Sequence, residues 1–86
     1  MPYHKNKQQA FQAAQQSMNQ TEDIYQDLTV DSEDYGHHLK HLKEEINETY
    51  QQIENALEVA SETQRLKLQQ FQKDLDKIVE NANLEG

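Results

Sequence analysis

An 86-residue chain holds one small domain at most, and its high surface-to-volume ratio leaves a thin stability margin that a partner or second copy would widen. Lys and Arg number 8 against 16 Asp and Glu, a formal charge of -8, which works against unassisted binding to DNA, RNA or an anionic membrane, because phosphate binding rests on clustered basic side chains. The absence of cysteine excludes disulfides and thiolate metal sites, and no apolar run approaches the ~20 residues of a membrane span.

The N-terminus has no signal-peptide apolar core, so the expected setting is soluble and cytoplasmic. Hydrophobic residues are only 34%, low enough for disorder to compete as a description. Periodicity decides against it. The apolar residues recur at helical spacing, and 2 Gly with 1 Pro are too few for a flexible linker.

Residues 1–6 lack periodicity and are expected to fray. From Lys7 the chain turns Gln- and Ala-rich, with Phe11, Ala14, Met18, Thr21, Tyr25 and Leu28 at the heptad-like spacing of coiled coils, which predicts a first helix over about 7–28. Thr29 to Glu33 interrupts it with β-branched and short polar residues suited to turns. Asp31 is the expected N-cap of the next helix, Val30 and Tyr35 have the spacing of a hydrophobic staple, and Glu33 and Asp34 favour a helix start. The heptad phase also runs on through Ser32 into Leu39, so one bent helix competes with two.

The second helix is predicted over 32–60 and is the longest. Leu39, Ile46, Ile53 and Ala60 form one seam line, Tyr35, Leu42, Thr49 and Ala56 the other, and Tyr50 and Leu57 widen the stripe to the breadth of a bundle helix. Lys40, Lys43, Glu44, Asn47, Glu48, Gln51 and Glu58 make the opposite, solvated face. Ser61 to Gln64 reads as a capping box, and the eight-residue step from Ala60 to Leu68 breaks the seven-residue repeat there. A third helix over 62–82 follows, built on Leu68, Phe71, Leu75, Ile78 and Ala82 with Leu66 and Val79 beside them; residues 83–86 are its fraying end. The expected fold is all-α, a three-helix antiparallel bundle with a long central helix.

Chemistry has one foothold, His37, His38 and His41. On a helix His37 and His41 share a face, and Asp34 or Glu45 could add an oxygen ligand. The zinc-protease pattern needs Glu beside the first His, where His38 stands, and no second cluster completes a site, so an exposed polar helix start is the simpler reading. Glu44 with Glu48, and Glu54 with Glu58, are carboxylates four apart, which an acidic helix supplies as solvated charges without any buried acid. No phosphate loop or nucleophile motif is present. No catalytic, cofactor or metal residues are therefore assigned, and an enzyme is not expected.

The order of a Gln/Ala-rich helix, a polar turn, a long acidic helix, a small-polar turn and a Gln-rich helix resembles small three-helix proteins of Bacillus-type spore-forming bacteria. Leu57-Glu58-Val59-Ala60-Ser61-Glu62 is similar to the stretch at which small acid-soluble spore proteins are cut by the germination protease. That resemblance implies a cut after Glu58, although Ile or Phe is common where Val59 stands and those proteins are mostly unstructured when free. The leading expectation is a non-enzymatic, acidic interaction module for an unknown, basic protein partner, with weak homodimerisation to cover Tyr50, Leu57, Leu66 and Val79. A spore-associated protein and a weak histidine-dependent metal binder are the alternatives.

Overall fold

The computed structural model describes residues 6–28, 33 and 35–82. Three helices follow one another, α1 over Lys7–Asp27, α2 over Tyr35–Leu57 and α3 over Glu62–Asn81, and they pack as the expected antiparallel bundle. α2 has 23 residues against 21 and 20 for its neighbours, so it is only slightly the longest. The bundle measures 45 Å along its principal axis.

The first helix starts on a cap that the sequence pattern had put in the lead-in. Asn6 takes an extended backbone and its Oδ1 accepts the Gln8 N–H at 2.8 Å, which satisfies one of the otherwise unpaired amides of the first turn. Asn6 is thus part of the folded unit, and residues 1–5 lie outside the described residues. At the other end Leu28 leaves the helix, its N–H donating to the Tyr25 carbonyl at 3.2 Å. The expected Asp31 cap and its Val30 staple partner also fall outside the described residues.

The second helix ends at Leu57, short of the expected Ala60. Glu58 N–H still donates to the Glu54 carbonyl at 3.3 Å, but Val59 N–H turns tighter, to the Ala56 carbonyl at 3.2 Å. Ser61 is extended (φ -69°, ψ 169°) to cap α3, so α2 cannot run on through it. The capping box forms as expected. Ser61 Oγ accepts the Gln64 N–H and Gln64 Oε1 accepts the Ser61 N–H, both at 3.2 Å.

The core follows the predicted stripes with a division of labour between the helices. α1 contributes Ala10, Ala14 and Met18 with Ser17 and Thr21, α2 contributes Leu42, Ile46, Thr49, Ile53 and Ala56, and α3 contributes Leu68, Leu75 and Ile78. Small side chains on α1 let the α2 backbone come close, since interaxial distance is set by the side chains at the contact. The two helices accordingly meet along more of their length than either meets α3. Phe11, Tyr25, Leu39, Ala60 and Phe71 pack against this core from its edge. Tyr50, Leu57 and Val79, expected to lie off the seams, are part of that edge too, whereas Leu66 stands out at 70% exposure.

Candidate functional site

The first turns of α2 set His37, His38 and His41 on the surface, all exposed. The His37 and His38 rings lie 6.1 Å apart, nearly edge to face. Helical spacing places His37, Lys40, His41 and Glu44 along a shallow cleft of about 280 Å³. His41 also borders a second cleft of about 370 Å³, where Gln20, Asp23 and Ile24 of α1 face Glu45 of α2. Among the described residues no three His, Asp or Glu side chains are grouped as metal ligands; Asp34, expected with Glu45 as an alternative oxygen ligand, lies outside them.

Glu45 is the unusual member of this region. Its Oε1 is buried and has no hydrogen-bond partner among the described residues. Burial, and secondarily the nearby Glu48 charge, push its carboxyl above the ordinary carboxylate range, while His41 pulls the other way. The Glu45 carboxyl therefore holds its proton more readily than an ordinary carboxyl does. The sequence placed Glu45 only as a spare ligand beside the histidines. Its position one residue before the buried Ile46, at the margin of the apolar stripe, was the signal for partial burial.

Next to Glu45 along α2 begins a polar layer built on two positions of the predicted seams. Thr21 and Thr49 are both fully buried, with their hydroxyls 2.9 Å apart. Thr21 Oγ1 donates to the Ser17 carbonyl at 3.0 Å, and Thr49 Oγ1 lies 2.8 Å from the Glu45 carbonyl and 3.2 Å from that of Ser17. Each hydroxyl has one proton to give, so the set works only as a connected network: with Thr21 bonded to Ser17, the Thr49 proton chooses among the Glu45 carbonyl, the Ser17 carbonyl and Thr21.

Charge is spread unevenly over the three helices. The last turns of α1 carry Glu22, Asp23 and Asp27 with no basic residue, and α2 carries Glu44, Glu45, Glu48 and Glu54 against Lys40 and Lys43. In α3, Glu62, Asp74, Asp76 and Glu80 are matched by Arg65, Lys67, Lys73 and Lys77. The carboxylate pairs Glu44 with Glu48 and Glu54 with Glu58 are all exposed. No helix among the described residues is long and apolar enough to cross a membrane. No protein-family model, curated protein or solved structure matches the chain.

Proposed function

We propose that this chain is a non-enzymatic interaction module whose acidic α1–α2 hairpin binds a basic protein partner. The observation that carries this reading is the charge distribution: the acids of α1 and α2 outnumber their bases, while α3 is balanced. An excess of one sign of charge on these two helices raises the association rate of oppositely charged partners and rejects acidic ones. Calorimetry with a Lys- and Arg-rich helical peptide tests it. Binding should weaken as salt is raised and should be lost when Glu22, Asp23 and Asp27 are changed together to Gln, Asn and Asn. Absence of binding at low salt, or binding indifferent to those changes, would refute the proposal.

A second reading, a spore-associated protein, is favoured by the position of one peptide bond. Glu58–Val59, the bond that resembles a germination-protease site, stands in the turn between α2 and α3, with Glu58 exposed and Val59 38% exposed. A protease needs accessible backbone that can be drawn out into its cleft, and turns between helices open more readily than the helices themselves. Digestion with germination protease should give one cut after Glu58, abolished in Glu58→Gln; survival of the intact chain would remove this reading.

A further inference from the structure

We infer that α3 can exchange between two copies of this chain, each copy's α3 docking into the α1–α2 groove of the other while α2 and α3 join into one helix. The partner is a second copy because the groove is already shaped to this helix: the swapped contacts are the ones that hold α3 within a single chain. Two features of the structure make α3 the mobile unit. α1 and α2 share the longer interface, cross-linked by the buried Thr21 and Thr49 hydroxyls. α3 is held by its apolar stripe, by Phe71 stacked on Phe11 with centroids 6.0 Å apart, and by an exposed hydrogen bond from Tyr50 Oη to Asp76.

The connection itself is helix-compatible. Residues 58–61 are Glu, Val, Ala and Ser, with no Gly or Pro, and Glu58 still donates its N–H in helical fashion. The extended Ser61 carries the capping box, so turning this residue helical trades that box for continuous backbone hydrogen bonds. The apolar stripe also survives the joining. Leu57, Ala60, Gln64, Leu68, Phe71 and Leu75 follow one another in steps of three and four, interrupted only by Gln64. Val59 and Leu66, the exposed large hydrophobics among the described residues, sit seven apart on the face away from that stripe and do not interrupt it. This inference is independent of any basic partner, whose binding would fail or succeed on the charge variants above.

Two substitutions act in opposite directions. Glu62 is the first residue of α3, where Pro is well tolerated, and Ser61 before it is already extended, as a residue preceding Pro must be. Glu62→Pro therefore suits the closed bundle and breaks the joined helix. Ser61→Ala removes the cap and leaves a strong helix former. After unfolding in denaturant and refolding at high protein concentration, size exclusion with light scattering should find a dimer fraction in the parent chain, several-fold more in Ser61→Ala and none in Glu62→Pro.

Spin labels on Glu48→Cys and Lys77→Cys, with labelled chains diluted into unlabelled ones, read the geometry whatever the fate of the Pro variant. The monomer should give a separation within roughly 20 Å, from an interaxial distance of 8–10 Å plus the label arms. The dimer should give about 43 Å, the span of the intervening residues on one helix. Monomer alone in both the parent chain and Ser61→Ala, or a dimer that keeps the short distance, would overturn the exchange.

Discussion

Thr21 and Thr49 show how two residues that are poor at filling a core can still belong in it. A buried hydroxyl without a partner costs about 1–3 kcal/mol, so each of these is tolerable because the other, and the Ser17 and Glu45 carbonyls, are within reach. Thr49→Val should destabilise the chain by about 1 kcal/mol, since Thr21 keeps Ser17 as an acceptor but loses its second contact. The double change Thr21→Val with Thr49→Val should cost less than the sum of the single changes, because two apolar isosteres then pack with no hydroxyl left over. Urea denaturation of the full mutant cycle gives the coupling. Glu45 is the converse case, a polar atom buried without a partner among the described residues. Its carboxyl titrates above the ordinary range in the fold, so the folded state binds the proton more tightly than the unfolded chain does. The Glu45 contribution is therefore least favourable above the raised value, and improves as pH falls through it toward the ordinary one. Glu45→Gln should raise the urea midpoint at neutral pH, with the advantage shrinking at acid pH; a lower midpoint at neutral pH would show that the charge is favourable where it sits.

At the scale of the elements, the α2–α3 turn depends on a few hydrogen bonds and not on a residue that forbids helix. Ser61→Ala should cost the closed bundle about 1 kcal/mol through the lost cap. At low protein concentration, where exchange between copies is suppressed, its far-ultraviolet helical signal should not fall, because Ala favours helix on both sides of the turn. A large drop in helicity would mean that the box nucleates α3 as well as ending its first turn. The asymmetry among the helices has a similar local origin. Ala10, Ala14 and Ser17 make α1 the slim partner of α2, whereas α3 meets the groove with Leu68, Leu75 and Ile78.

For the molecule as a whole, the charge of -8 acts on a core that is small by any measure. Like charges are closer together in the fold than in the unfolded chain, so self-repulsion opposes folding and added salt screens it. The thermal midpoint should therefore rise between low and moderate concentrations of a monovalent salt. A flat or falling midpoint would indicate that attractive pairs outweigh the net charge.

The sequence by itself determined the class of fold, because the steps of three and four through Met18, Leu42, Ile53, Leu68 and Leu75 can bury a continuous stripe only as helices, and Ser61 with Gln64 carries its own cap chemistry. It left the end of α2 undecided, since residues 58–60 are acceptable in a helix, yet the chain tightens at Val59 and is extended at Ser61 as it turns back into α3. Which polar side chains would be buried was also undecided. Periodicity assigns a residue to a face, but Glu45 loses solvent and Leu66 keeps it according to how far the neighbouring helices reach over them. The pairing of Thr21 with Thr49 belongs to the tertiary structure alone, because residues 28 apart in sequence meet only when two helices have settled into one register.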